Sequence, residues 1–399
     1  MPRWNSFEAF LQEARSAPDD DRRQALVDQL LAEQTGWPWV QGSQATFIYA
    51  GPDTPQHVAL NLDAIQGDPP LAAMNRLEGT TLWYLTRTFA PDDLLDYLLA
   101  VNDPMTPLAT EPDITGRIAR HWRVDQRNPL RLETAGQVVS VLRMSDARPF
   151  PDWSAMPGVP RGRVDEHRFD SAQLAFKDRR LWVYTPPGYD QSGMVYPLLV
   201  LHDGQWAAGP LQAPYIADAL IKHQHLAPVI IAMLQSGGQQ ERDREYISND
   251  RHYAALLTEL LPFVQTRYRV DSTFLGVGGV DLGAVAAAHA ALRNPAVFRS
   301  LIMISPPLGK GVGEALLSQL VQRFTESRLL PEHIFQSVGR YESRPRFIKP
   351  AQVVRETLTA RSDTHYRFVE IASGHGLVGF RSILPEALAW AFPGPAAAR

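Results

Sequence analysis

From about residue 164 onward, runs of consecutive apolar residues recur along the chain: YPLLVLH, PVIIAMLQ, TFLGVGG, RSLIMIS, HIFQSVG and YRFVEIA, with helical stretches between them. Continuous apolar strands alternating with amphipathic helices fold into a largely parallel sheet covered on both faces. Ahead of them, HRFDSAQLAF and RRLWVYTPP read as a hairpin. A doubly covered sheet carries its chemistry at the C-terminal ends of its strands. The search for function therefore narrows to the residues that follow each apolar run.

The rest of the 399-residue chain has a different texture. Phe7, Phe10, Leu11 and Ala14, then Leu26, Leu30 and Leu31, stand at helical spacing around a PDDD break, which predicts a short helical hairpin. Between Trp37 and Met144, the runs QATFIYA, HVALNL, TTLWYLTRT, LLDYLLAV and QVVSVLRM alternate with Gly, Pro, Asp and Asn clusters, the pattern of a small antiparallel sandwich. SDARPFPDWSAMPGVPRGR then reads as a linker. The expected division is a helical segment at 1–36, an all-β sandwich at 37–145, a linker at 146–163 and an α/β domain at 164–399, in keeping with two or three domains for this length.

A formal net charge of -4 gives no electrostatic footprint for a polyanion, so no nucleic-acid partner is expected. The absence of cysteine excludes disulfides, thiolate metal sites and cysteine nucleophiles. Nothing in the sequence implies a metal or a cofactor. No stretch supplies the roughly 20 apolar residues that span a bilayer, and the N-terminus has no apolar run of signal length, so a cytoplasmic protein without a membrane partner is the expectation.

Chemistry concentrates around GVGGVDLGAVAAAHAALRNP, residues 276–295. An apolar strand enters a bend flanked by Gly279 and Gly283 and opens an alanine-rich helix, the layout of a nucleophile elbow of GxSxG form. The glycines are needed because side chains flanking so tight a turn would collide with the neighbouring strand and helix. Asp281 stands where the serine would be. Downstream, SVGRYESR places Glu342 in a loop after a strand, and IASGHGL places His375 after the last strand. The order elbow, acid, histidine is that of α/β-hydrolases, with Glu342 available to orient and support His375. Upstream, LVLHDGQW ends a strand at a loop whose backbone N–H groups at Gly204 and Gln205 can join that of Leu282 in an oxyanion hole.

The region from about residue 164 to the end resembles the esterase D and enterochelin esterase group of α/β-hydrolases. The residues that carry the resemblance are LHDGQ, RDREY followed by ELLPFVQTRYRV, the elbow, FRSLIMIS and the terminal GH before a helix. GTTLWYLTRTFAPDDLLDYLLAVND and VDQRNP, in turn, resemble the immunoglobulin-like N-terminal domain of the same enzymes. The resemblance covers about nine-tenths of the chain. It implies an α/β-hydrolase fold preceded by an immunoglobulin-like sandwich, and hydrolysis of carboxylic esters of small molecules. The chain departs from the family pattern at Asp281, at Ala284 where a second glycine is usual, and at Gly376 and Leu377 where aromatic or acidic residues usually follow the histidine.

Several readings of Asp281 stand open. A carboxylate at this position serves, in some α/β-hydrolases, as a nucleophile toward an sp³ carbon. Attack on an acyl group would instead leave a mixed anhydride, which argues against ordinary ester hydrolysis. Asp281 can also act as a general base toward water, retaining some esterase activity with His375 and Glu342. In the remaining reading Asp281 is an ion-pair partner at a helix N-terminus, where negative charge gains about 0.3 to 1 kcal/mol, and the protein has lost its chemistry. A carboxylate there also opposes a developing oxyanion. Among the neighbours, Glu342 has Arg340 and Arg344 as alternative partners on a charged loop, and HDG at 202–204 can be an ordinary strand-ending turn. Arg244 and Glu245 read as a structural ion pair, Trp206 as a pocket wall or as packing under the loop, and Ser305 lacks glycine flanks and makes a poor substitute nucleophile.

Overall fold

A computed structural model describes residues 3–51, 54–134 and 136–396. The chain separates into two compact units, Met1–Arg148 with Ala372–Val378, and Pro149–Ile371 with Gly379–Arg399.

The first unit begins with helices α1 (Phe7–Arg15) and α2 (Asp20–Glu33). Each is started by a side-chain cap: Ser6 accepts the Ala9 N–H and Asp19 the Arg22 N–H. Their apolar faces bury Phe7, Phe10, Leu11, Leu26, Val27 and Leu30 against Trp37, Ile48 and Tyr84. Strands β1 (Trp39–Gln41), β2 (Gln44–Tyr49), β3 (Val58–Leu62), β4 (Leu71–Ala73), β5 (Asn75–Arg76), β6 (Trp83–Thr88) and β7 (Leu94–Val101) follow. After helix α3 (Ile114–His121) come β8 (Trp122–Arg123), β9 (Arg131–Thr134) and β10 (Gln137–Arg143). Two antiparallel sheets result, in the orders β1-β2-β6-β5 and β4-β3-β7-β10-β9, with β8 paired to β7. Alternation sends Ile48 to the helices and Phe47 to the other sheet, where its ring meets Tyr97 edge-on at 4.9 Å. The five long runs of the sequence are strands, whereas α3, β1, β4, β5, β8 and β9 were not legible. The added strands are two to four residues long, too short to display a period. Helix α3 is held by a buried ion pair, Arg117 Nε donating to Asp103 Oδ2 at 3.0 Å.

The second unit opens with a hairpin, β11 (Arg163–Ser171) and β12 (Phe176–Thr185). HRFDSAQLAF is therefore not one strand: the chain turns at 172–175, with Ala175 at φ 55. No Gly, Pro or Asn marks that turn, which is why alternation masks it. Then come α4 (Tyr189–Ser192), β13 (Tyr196–Leu201), α5 (Gly204–Ala207), α6 (Ala213–Lys222), β14 (Ile230–Leu234), α7 (Gln239–Tyr246), α8 (Asp250–Ala255) and α9 (Leu261–Gln265). The remainder is β15 (Val270–Val280), α10 (Leu282–Arg293), β16 (Phe298–Ile304), α11 (Glu314–Glu326), β17 (His333–Gly339), α12 (Lys349–Thr359), β18 (His365–Ile371) and α13 (Leu377–Ala391). One sheet orders these strands β11-β12-β14-β13-β15-β16-β17-β18, antiparallel as far as β14 and parallel beyond it. This is an α/β-hydrolase-like fold. The alanines of α10, fully buried, let its backbone lie close on β15 and β16. Among the described residues no helix is long and apolar enough to cross a membrane.

Because Phe47 links the two sheets of the first unit, Phe47→Ala is expected to destabilise the protein by about 3–5 kcal/mol, read from urea unfolding; a loss below about 1 kcal/mol would show that the sheets do not depend on this ring.

Candidate active site

Strand β15 ends at Val280 and helix α10 begins at Leu282, so Asp281 makes the whole turn between them. Its backbone is at φ 50, ψ -128, a region costing a non-glycine residue about 1–3 kcal/mol. Two bonds hold it there: Asp281 N–H donates to Ile304 O at 3.0 Å, and Ala284 N–H to Asp281 O at 3.0 Å. The flanking glycines are sterically required. A Cβ on Gly279 would lie 2.5 Å from the Gly283 carbonyl carbon, and one on Gly283 would lie 2.8 Å from Asp203 Oδ2. The second contact also places the loop after β13 directly beside the elbow.

The carboxylate of Asp281 faces a cation that sequence reasoning passed over. Arg242, on α7, approaches Asp281 Oδ2 with Nη2 at 3.4 Å. The same guanidinium grips Asp203 in a bidentate pair, Nε to Oδ1 and Nη2 to Oδ2, both at 2.9 Å. Asp203 is fully buried and Arg242 is 5% exposed. The indole of Trp206 lies against the guanidinium at 4.6 Å, with Tyr246 at 5.8 Å. Burial works against the charge of Arg242, and the Asp203 and Asp281 carboxylates outweigh it, holding the group above the usual arginine range. Burial, with the Asp203 charge, pushes the Tyr246 phenol well up, so it stays protonated.

This corrects two expectations. HDG is not only a turn, because Asp203, itself in the left-handed region at φ 57, is the buried anchor of Arg242. Arg244 and Glu245 do not pair with each other: Glu245 takes both donors of Arg179 at 2.6 Å, while exposed Arg244 contacts Glu241 at 3.4 Å. Successive helical residues point in different directions, so the partner of Glu245 lies on β12 instead. The available signal was a buried-looking aspartate after an apolar strand, which requires a cation from elsewhere in the chain.

Gly204 and Gln205 begin α5 and Leu282 begins α10, and N–H groups in a first helical turn have no intrahelical acceptor. Gln205 is locked by its side chain, which donates to Ser236 Oγ at 2.7 Å and accepts the Ser236 N–H at 3.1 Å. Beneath this loop, His202 Nδ1 lies 3.0 Å from Gly278 O and Nε2 lies 2.9 Å from His252 Nε2. A carbonyl only accepts, so Nδ1 of His202 carries the proton and Nε2 accepts from His252. Burial lowers both imidazoles below the usual histidine range, His252 the further.

Glu342 follows β17 and is buried, with Oε2 accepting the Gly339 N–H at 3.0 Å. Its strand is separated from β15 by β16. Arg340 contacts Glu370 at 3.2 Å. His375 is carried by the segment that clusters with the first unit, where its N–H donates to Asp63 Oδ2 at 2.7 Å. Within the second unit the structure thus brings Asp281 and Leu282 beside the loop of Gly204 and Gln205. Ser305, at φ 50, is buried. Among the described residues no group of three or more His, Asp or Glu is disposed to hold a metal ion.

The fold and the elbow define an α/β-hydrolase-like protein. The Esterase family model matches residues 172–391, more than half of the chain, and the chain belongs to that family. The fold is similar to that of ferric enterobactin esterase from Salmonella typhimurium, with a TM-score of 0.76 at 20% identity over 91% of this chain and 98% of that one. It is likewise similar to the enterobactin esterase from Shigella flexneri in the presence of 2,3-di-hydroxy-N-benzoyl-glycine, with a TM-score of 0.71 at 21% identity over 91% and 97%. A ferulic acid esterase matches 58% of this chain with 98% of its own, at a TM-score of 0.50 and 16% identity. No curated protein matches the chain.

Removing the cation should be worse than removing the pair. Arg242→Met leaves Asp203 buried without its partner and is expected to cost about 3–5 kcal/mol, whereas Asp203→Leu with Arg242→Met should recover most of that loss; equal stability of the single and double variants in urea would refute this account.

The lowered imidazoles also set a pH dependence. Unfolding lets His202 and His252 take up protons near their ordinary pKa, so the stability they contribute is present above about pH 6.5 and is lost as pH falls, by up to about 1.4 kcal/mol per pH unit for each. His252→Gln should flatten the decline in urea-derived stability between pH 7.5 and 5.5; an unchanged slope would mean that these rings do not titrate on unfolding.

Proposed function

We propose that this chain is an Esterase-family protein that has exchanged serine-type acyl transfer for ligand holding, with a small-molecule ester or related acyl compound as its ligand. The observation that carries this reading is the carboxylate of Asp281 on an otherwise intact elbow, opposed at 3.4 Å by a guanidinium already committed to Asp203. An ion-paired carboxylate is a weakened nucleophile and base, and its attack on an acyl carbon would yield a mixed anhydride. Its charge also opposes an oxyanion developing beside it. The N–H groups of Leu282, Gly204 and Gln205 donate to the ligand's carbonyl oxygen, a role that survives loss of the nucleophile.

The sequence order Asp281, Glu342, His375 supports descent from an acyl-transferring ancestor. The enterobactin and ferulic acid esterases that share the fold support an acyl compound as the ligand class. The first unit is proposed to be an immunoglobulin-like sandwich with a helical segment, on the division 1–36, 37–145, 146–163 and 164–399, and the protein to work in the cytoplasm. The paired antiparallel sheets of residues 39–143 support the sandwich assignment.

Hydrolysis of p-nitrophenyl acetate by the wild type is expected to equal that of Asp281→Ala, and Asp281→Ser to exceed both by at least about tenfold, as a hydroxyl nucleophile returns to the elbow. Wild-type turnover abolished by Asp281→Ala, or a covalent adduct on Asp281 after incubation of His375→Ala with an epoxide or alkyl halide, would give Asp281 a chemical role and overturn the proposal.

A further inference from the structure

The first unit contains a cluster of titratable groups that the elbow does not use. Strand β3 pairs antiparallel with β7 in the register Asn61↔Leu98 and Leu62↔Tyr97, and Asp63 follows at once in the turn after β3, close to Asp96 on β7. The charge of Asp63 acts on the Asp96 carboxyl, and two like charges so placed oppose each other. What they flank is the tripeptide Gly374, His375 and Gly376. Asp63 Oδ2 accepts the His375 N–H at 2.7 Å, and Leu94, two residues before Asp96, donates its N–H to Ala372 O at 2.9 Å. A Cβ on Gly374 would fall 1.9 Å from Asp63 Oδ2, and one on Gly376 would fall 2.9 Å from Asp96 Oδ2. Both glycines beside the histidine thus give room to a carboxylate. The departure from the family pattern at Gly376 has a physical correlate: a larger residue there would have to displace Asp96.

We infer that Asp63 and Asp96 are positioning residues for His375, Asp63 fixing the backbone of its loop and Asp96 sharing a proton with its imidazole. Asp96 is pushed up to about 6 by desolvation first and by the charge of Asp63 second, while the charge of His375 draws it down. A carboxylate that binds its proton near neutrality can exchange it with a neighbouring imidazole, and the titration of two groups so coupled belongs to both. The acid partner of the histidine is thereby supplied by the N-terminal sandwich. This assignment does not depend on what Asp281 does, since it concerns a different unit and is read without any substrate.

Carboxyl ¹³C NMR of the full-length protein labelled at aspartate tests it. Asp96, identified by the resonance lost in Asp96→Asn, is expected to titrate near 6. Its midpoint should rise in His375→Gln, which removes the imidazole cation, and fall by roughly one unit in Asp63→Asn, which keeps an acceptor oxygen for the His375 N–H but removes the neighbouring charge. A merely structural contact would leave the Asp96 midpoint unmoved by His375→Gln. If Asp63→Asn fails to fold, the wild type and His375→Gln decide the matter alone. A midpoint in the ordinary aspartate range, or one indifferent to His375→Gln, would overturn the inference.

Discussion

One guanidinium sets the electrostatics at the strand ends of the C-terminal unit. Arg242 is almost wholly buried, meets Asp203 through two 2.9 Å bonds and still reaches Asp281 at 3.4 Å. A buried aspartate without a cation is not sustainable, and a buried arginine without an anion is equally costly. The pair therefore fixes α7 to the loop after β13, and that loop is what Gly283 packs against. The start of α5 at Gly204 and Gln205, the start of α10 and the placement of Asp281 follow from this arrangement. Trp206 and Tyr246 shield the guanidinium with their rings, which strengthens its interaction with both carboxylates.

The elbow and its nucleophile position have separate physical requirements. The turn needs Gly279 and Gly283 for space, and bonds from Asp281 and Ala284 to hold a residue at φ 50. None of these conditions specifies a hydroxyl. The larger carboxylate of Asp281 also satisfies them, and Arg242 offsets its charge. The turn is thus held by packing and backbone bonding, while the side chain at its centre is one that packing does not select.

Much of the second unit was legible because its central strands β13, β14, β16 and β17 are buried on both faces and so read as apolar runs, whereas β18, at the edge, is mostly exposed or half-buried. Each of YPLLVLH, PVIIAMLQ, RSLIMIS, HIFQSVG and YRFVEIA contains a strand of the sheet, and TFLGVGG lies within the longer β15. The hairpin turn at 172–175 was hidden because a residue without turn chemistry, Ala175, takes the left-handed conformation. Arg242 was hidden for a different reason. In RDREY the charged residues look interchangeable, and only the direction in which α7 faces separates Arg242, turned to Asp203, from Glu245, turned to Arg179.

By itself the sequence determined the layered α/β architecture, the β-rich runs ahead of it, and the tight turn with Asp281 at its centre. These are written in periodicity and in local turn chemistry, both of which act between near neighbours in the chain. Which charges meet was decided only by tertiary structure: Asp203 with Arg242 across 39 residues, and Asp63 with the backbone of His375 across 312. Such partners are chosen by strand register and helix orientation, and a buried charge takes whichever counter-charge the fold delivers to it.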